Sequence, residues 1–144
     1  MNNEQNLAPQ TRGPVRRKIR TVVADALPEF LQPFCQFIEG QTNLEIVGRC
    51  GNGLEAVRLV EELRPDLVLL DQKIPGISGL KVAAQLREQY PSLYIVIMSS
   101  YEEECLEHLP GAARVDLFVS KSQLIQDLRG QIGRLFPGAK FEPS

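Results

Sequence analysis

The sequence predicts an α/β domain in which helices cover both faces of a parallel sheet. Short apolar runs rich in branched residues alternate with longer stretches in which apolar residues recur every three or four positions. Five such strand–helix units follow one another in roughly 120 residues, which is the pattern of a sheet built from β-α units. The total length of 144 residues suits one domain with a core of ordinary size.

Five apolar runs are predicted to be strands. In chain order they read IRTVVAD, LEIVGRC, DLVLLD, YIVIMSS and VDLFVSK. The third run has no polar residue from Leu67 to Leu70, so both faces of this strand are expected to be buried. Such burial is typical of a parallel sheet with helices on both sides.

A helix is predicted after each strand. Pro33 lies inside the first helix and is expected to bend it or to delay its start. The second helix is predicted to end before Pro65, and the third, over residues 79–90, before Pro91. The acidic stretch EEECLEHL predicts a short fourth helix, and residues 122–135 predict a fifth.

Right-handed crossovers allow few arrangements of these units. The commonest at this size is a doubly wound five-stranded parallel sheet with strand order 2-1-3-4-5, as in flavodoxin-like folds. Ligands bind such sheets beyond the carboxyl ends of the strands, where the winding reverses between strands 1 and 3. Asp25 ends the first strand and Asp71 ends the third. The two carboxylates are therefore expected to meet at this position.

Composition narrows the classes of partner. A net charge of -2 gives no reason to expect direct binding to nucleic acid, and no apolar run approaches the ~20 residues of a membrane span. Residues 1–17 are polar and lack the apolar core of a signal peptide, so a cytoplasmic protein is expected. Cys35, Cys50 and Cys105 lack the spacing of a metal site and are interpreted as free, mostly buried thiols.

Two enzyme interpretations of the sheet edge are weaker than a third. GNGLEA imitates a dinucleotide fingerprint with Asp71 as its ribose-binding acid, but that fingerprint belongs after the first strand of a larger sheet. Asn52-Gly53 is more simply a turn into the second helix. A metal-assisted hydrolase is disfavoured because the single histidine, His108, is predicted in or just after the fourth helix, away from the strand ends.

The third interpretation is phosphoryl transfer. The fourth strand ends at Ser99 and the fifth at Lys121, so a hydroxyl and an ammonium are expected near Asp71. A phosphoryl group requires such a set: Mg²⁺ on its oxygens, a hydroxyl donor, and a positive charge against the charge that develops.

Four stretches support this interpretation through a resemblance. IRTVVADALP, PDLVLLDQKIPGISGL, IVIMSSY and LFVSK resemble the signature stretches of response-regulator receiver domains, in the variety that usually precedes a helix-turn-helix output domain. The resemblance covers residues 19–135. It implies that Asp71 is the phospho-accepting aspartate, that Ser99 is the hydroxyl that shifts toward the phosphoryl group, and that Lys121 is the family's lysine.

The resemblance also implies a switch residue and a metal. Phe118, three residues before the lysine, corresponds to the switch aromatic. Mg²⁺ would be bound by Asp25, Asp71 and the backbone carbonyl of Lys73. The family pattern has two consecutive acids after the first strand, whereas here Asp25 is followed by Ala26. Mg²⁺ then has fewer protein ligands, although it habitually keeps several waters.

A second departure is Arg114-Val115, which stands where the family usually has Gly-Ala.

We predict a receiver domain over residues 18–136, between a disordered tail at 1–17 and a C-terminal tail at 137–144. It is expected to be a stand-alone phospho-acceptor rather than an enzyme. A histidine kinase or phosphotransfer protein would supply the phosphoryl group, and a downstream protein would receive the signal. The alternative is a phosphorylation-independent pseudo-receiver that acts as an interaction module; a homodimer is left open.

Overall fold

Five parallel strands form the central sheet in the computed structural model, which describes residues 18–41, 43–99, 111–124 and 126. The strands are β1 (Ile19–Ala24), β2 (Leu44–Cys50), β3 (Leu67–Asp71), β4 (Tyr94–Ser99) and β5 (Leu117–Ser120). The helices are α1 (Pro28–Gln41), α2 (Gly53–Leu63) and α3 (Gly79–Gln89), with 3₁₀ turns at Ala112–Arg114 and Lys121–Gln123. The strand order is β2-β1-β3-β4-β5, which confirms the predicted doubly wound sheet.

Several sequence predictions fall outside the described residues. They are the tails at 1–17 and 137–144, the fourth helix with Cys105 and His108, and the fifth helix beyond its first turn. No helix in the part of the chain that the structure describes is both long and apolar enough to cross a membrane.

The core lies on both faces of β3, as its apolar run predicts. All five residues of this strand are buried, and its four apolar residues alternate between two clusters. Leu67 and Leu69 pack with buried residues of α1, whereas Val68 and Leu70 pack with α2 and α3. Because β3 is packed on both faces, the position of its last residue, Asp71, is fixed by the core.

The first helix begins earlier than the proline suggests. It starts at Pro28, and the carbonyl of Leu27 accepts hydrogen bonds from the N–H groups of Phe30 and Leu31 at 3.0 and 2.9 Å. Pro33 lies inside α1 on its exposed face, so the expected delay of the helix start is wrong. The first turn of α1 thus follows directly on Asp25 and brings Phe30 near the sheet edge.

The GNGLEA segment has a structural explanation. Asn52 caps α2, its side chain accepting a hydrogen bond from the N–H of Glu55 at 2.9 Å. A Cβ on Gly53 would lie 2.8 Å from the carbonyl oxygen of Ile77, so glycine lets α2 approach the β3–α3 loop. The segment is the turn into α2 that was preferred over a dinucleotide site.

The fifth strand is shorter than predicted at both ends. Val115 donates its N–H to the carbonyl of Ala112 at 3.1 Å in a 3₁₀ turn, so the strand begins only at Leu117. At the other end the chain enters a second 3₁₀ turn at Lys121, and the strand stops at Ser120. Lys121 therefore lies just beyond the sheet edge, where its side chain can turn back over β1 and β3.

Candidate functional site

Two buried carboxylates mark the carboxyl edge of the sheet where β1 and β3 end. Asp25 follows β1 directly and is 1% exposed, while Asp71 is the last residue of β3 and is 5% exposed. The ammonium of Lys121 contacts Oδ2 of Asp25 and lies 3.5 Å from Oδ2 of Asp71. The structure thus brings together the three charged residues that the sequence placed at this edge.

The Lys121 ammonium is the counterion of both carboxylates. Its side chain is 10% exposed, and the two acids are less exposed still, so the three charges interact largely out of water. One cation faces two anions, which leaves the described part of the site with an excess of negative charge. An excess of this kind favours binding of a further cation.

The two oxygens of Asp25 have different partners. Oδ1 accepts a hydrogen bond from the N–H of Leu27 at 2.9 Å, which fixes the carboxylate in the β1–α1 turn. Oδ2 is buried and has no hydrogen-bond partner among the described residues. Its negative charge is compensated by the ammonium of Lys121, through an ion pair rather than a well-directed hydrogen bond.

Asp71 is held by its own loop. Its Oδ1 accepts a hydrogen bond from the N–H of Lys73 at 3.2 Å. Burial raises the pKa of the Asp71 carboxyl, and the neighbouring Asp25 carboxylate acts in the same direction. The Lys121 ammonium and the Lys73 N–H lower this pKa without cancelling the rise. The charged form of Asp71 is therefore under-stabilised in the metal-free site.

The β3–α3 loop fixes the direction of Asp71. Gln72 donates its N–H to the carbonyl of Met98 at 2.9 Å, and its side-chain oxygen accepts from the N–H of Leu80 at 3.0 Å. Gly79 passes so close that a Cβ would lie 2.8 Å from the Asp71 carbonyl oxygen and 3.0 Å from Cα of Gln72. Glycine at position 79 is thus a packing requirement of the β3–α3 loop.

We expect Gly79→Ala to lower the free energy of unfolding by about 1–3 kcal/mol, because the added methyl must displace backbone of the β3–α3 loop. Gly51→Ala is the matched control, since its Cβ would meet only the Asp25 carbonyl oxygen, at 3.9 Å. That variant should stay within about 0.5 kcal/mol of the parent. Urea unfolding measures both, and equal losses would contradict the close-packing explanation.

The remaining predicted residues lie around this core. Ser99 is the last residue of β4 and is buried, one position beyond Met98, which pairs with Asp71 in the sheet. Phe118 is half-buried on the face that packs against α2 and α3. The Lys73 side chain is exposed, and the hydrogen bond to Asp71 comes from its backbone N–H.

One residue of the site was missed by sequence reasoning. The ammonium of Lys121 lies 4.4 Å from the centroid of the Phe30 ring, a cation–π contact on the side of α1. Its spacing in the sequence indicates only that Phe30 belongs to the apolar face of the first helix. Its place in the first turn after Asp25 is the signal that could have indicated it.

Mg²⁺ fits this set of donors, with waters completing its coordination. Two carboxylates converge, and Oδ2 of Asp25 lacks a hydrogen-bond donor, as expected for an oxygen that a cation can neutralise. The described residues contain no cluster of three or more acidic, histidine or cysteine side chains, in keeping with Ala26. The Lys121 ammonium lies on the same oxygen, so a metal ion bound there would compete with lysine for Asp25.

Residues 21–132 match the profile of the response regulator receiver domain. The chain belongs to this family. In this receiver domain Asp25, Asp71 and Lys121 meet at the carboxyl edge of the sheet, and Ser99 ends the neighbouring strand β4. The identification covers the receiver part only.

Curated relatives of this receiver are transcriptional regulators. It is 37% identical over 73 residues to the uncharacterized transcriptional regulatory protein YhcZ of Bacillus subtilis, covering 51% of this chain and 33% of that protein. It is 34% identical over 89 residues to the transcriptional regulatory protein BtsR of Salmonella typhi, covering 62% of this chain and 37% of that protein. The chain thus spans about a third of the length of these relatives.

Solved receiver structures share the fold. A DNA-binding response regulator of the LuxR family from Staphylococcus aureus superposes with a TM-score of 0.72 at 28% identity, over 81% of this chain and 98% of that chain. The isolated receiver domain of RcsB from Salmonella enterica, solved with phosphomimetic BeF3-, superposes at 0.74 over 89% of this chain and 95% of that chain. Its identity of 19% supports the fold alone.

Proposed function

We propose that this receiver accepts a phosphoryl group on Asp71 from the phosphohistidine of a histidine kinase or phosphotransfer protein. The observation that carries the proposal is the buried Asp71 carboxylate at the end of β3, with the Lys121 ammonium 3.5 Å from its Oδ2. The proposal includes a cytoplasmic location and makes the chain a phospho-acceptor that promotes its own phosphorylation and dephosphorylation. It signals through contacts with a downstream protein.

The residues of the site divide the work of this transfer. An oxygen of the Asp71 carboxylate attacks phosphorus, and the P–N bond to the protonated phosphohistidine ring breaks. The bonding electrons stay on that nitrogen, so the donor leaves as neutral imidazole with the proton that its other ring nitrogen already carried. The N–H of Lys73 and the Lys121 ammonium hold the acceptor carboxylate and offset negative charge beside it. Mg²⁺, when bound by Asp25 and Asp71, would neutralise the phosphoryl oxygens. Ser99, buried at the end of the neighbouring strand β4, would supply a hydroxyl to the transferred group.

A phosphorylation-independent interaction module is the second candidate. Ala26 removes one metal ligand, and the Lys121 ammonium already lies on Oδ2 of Asp25. An internal cation in this place can stabilise the fold without metal. In that case the receiver would bind its protein partner in a single state, with no need of a phosphoryl group on Asp71.

We expect incubation with a small phosphodonor and Mg²⁺ to add one phosphoryl mass to the parent protein and none to Asp71→Asn. The reason is that Asp71 is the acceptor and asparagine cannot form the acyl phosphate. Asp116→Asn, which removes a carboxylate paired with Arg87 at 2.7 Å outside the site, should label at the parental rate. Intact mass spectrometry over time measures all three.

The same experiment separates the two candidates. Labelling that persists in Asp71→Asn would contradict the assignment of the acceptor. A parent protein that gains no mass with any small phosphodonor, while remaining folded, would instead favour the interaction module.

A further inference from the structure

We propose that Phe30 is a positioning residue that holds the Lys121 ammonium against Asp25 and away from Asp71. Three groups share this one ammonium: the Asp25 carboxylate, the Asp71 carboxylate and the face of the Phe30 ring. The ammonium lies closer to Asp25 than to Asp71, and the ring lies 4.4 Å away. The consequence for phosphoryl transfer rests on the proposed function; the positioning itself does not.

The Phe30 ring is well supported for this role. It stacks on the Phe34 ring with centroids 5.1 Å apart and an interplanar angle of 14°. Phe34 is itself buried, 8% exposed, so its ring is anchored in the core on the α1 side of the sheet. A ring supported in this way presents a fixed π face, and a desolvated ammonium gains more from such a face than an exposed one does.

The position of Phe30 along the chain explains why this ring holds the ammonium nearer to Asp25 than to Asp71. The β1–α1 turn joins the two residues directly, and the N–H of Leu27 fixes the Asp25 carboxylate from the same turn. The π face and the Asp25 carboxylate are therefore parts of one local unit. Asp71 reaches Lys121 from a different strand and has only the longer ion pair.

The positioning affects what the site can bind. A divalent cation on Asp25 must displace the Lys121 ammonium from Oδ2, and an acyl phosphate on Asp71 must attract it. Both steps require the ammonium to move relative to the Phe30 ring. The ring therefore biases the receiver toward its resting arrangement, in which lysine supplies the positive charge.

The Phe30 side chain also borders a neighbouring groove. Phe30, Phe34 and Lys121 form part of the wall of an open cavity of about 350 Å³ along α1. Phe37 lines the same groove two turns away from Phe30 and is 43% exposed. Phe37 thus offers a matched control: an aromatic residue on the same helix and the same groove, without the role assigned to Phe30.

The first test is the side-chain NMR resonance of Lys121 in metal-free protein. Protons next to an ammonium over a ring face shift upfield through the ring current, so the Lys121 ε-methylene of the parent should be displaced from ordinary lysine values. Phe30→Leu should abolish the displacement, whereas Phe30→Tyr, which keeps a π face, and Phe37→Leu should retain it. A resonance that does not respond to Phe30→Leu would overturn the proposal.

The second test separates positioning from packing through a double-mutant cycle. If Phe30 holds the ammonium on Asp25, then Asp25→Asn should cost less stability in the Phe30→Leu background than in the parent. We expect a coupling of about five- to thirtyfold in the unfolding equilibrium constant, the size of a cation–π contact with a largely desolvated ammonium. Additive effects would overturn the positioning role. Neither test uses phosphorylation, so a failure to label Asp71 would refute the proposed function and leave this inference standing.

Discussion

Replacement of Lys121 by leucine is expected to destabilise the metal-free protein by about 3 kcal/mol at neutral pH, the scale on which removal of one partner from a buried ion pair acts. Two buried carboxylates would lose their shared counterion, and Oδ2 of Asp25 has no hydrogen bond to replace it among the described residues. Lys81→Leu, which removes an exposed ammonium from α3, is the control and should stay within about 0.5 kcal/mol of the parent.

The stability lost in Lys121→Leu should depend on pH, in a direction that follows from the pKa of Asp71. Its pKa is raised in the folded protein, first by burial, and Lys121 partly opposes that rise. The relevant pH range lies between the pKa of Asp71 in the unfolded chain and its higher pKa in the folded protein. In this range the folded state binds more protons than the unfolded state, so the free energy of unfolding falls as pH rises. Without Lys121 the pKa of Asp71 in the folded protein rises further, so the pH range in which stability falls extends to higher pH.

The difference between parent and Lys121→Leu should therefore be smaller at about pH 5 than at about pH 8. Urea unfolding at the two pH values measures it. A difference that is independent of pH would show that Lys121 stabilises the fold through packing of its methylenes rather than through its charge.

The second large effect is expected from Ala26→Asp. Ala26 is half-buried in the β1–α1 turn beside Asp25. The added carboxylate would increase repulsion in the metal-free site and lower its stability, because three like charges then lie around one lysine. Mg²⁺ relieves this repulsion, so the affinity of Ala26→Asp for Mg²⁺ should exceed that of the parent by about tenfold or more. Residues that hydrogen-bond to metal ligands change metal affinity on the same scale.

Melting temperature and labelling rate during a Mg²⁺ titration measure this prediction. Stabilisation by Mg²⁺ should be larger in Ala26→Asp than in the parent, and labelling by a small phosphodonor should be faster. Ala26→Asn introduces a side chain of nearly the same size as aspartate but without its charge, and this variant should behave as the parent does. Equal Mg²⁺ affinity in parent and Ala26→Asp would show that Asp25 and water already complete the site.

The backbone of the site could be predicted from the sequence because local patterns report it. The apolar run from Leu67 to Leu70 identified an enclosed strand, and its carboxylate then had to lie at the sheet edge. Asp25 followed in the same way from the end of β1. Strand order came from general rules of handedness and size.

The side-chain contacts could not be predicted in the same way. Periodicity indicates which face of a helix a residue occupies but not which neighbour it contacts, so the contact of Phe30 with Lys121 could not be predicted from it. Lys121 begins a 3₁₀ turn where a strand end was expected, and its ammonium lies nearer to Asp25 than to Asp71. Turn geometry of this kind depends on tertiary contacts rather than on local sequence.

The most direct test of the central claim is to locate the phosphoryl group after labelling. Borohydride reduction converts an aspartyl phosphate into homoserine, and peptide mass spectrometry then identifies the modified position. We expect homoserine at position 71, in the peptide that contains the end of β3, and aspartate retained at position 25. Reduction at Asp25, or at any residue other than Asp71, would contradict the assignment of Asp71 as the phospho-acceptor of this receiver.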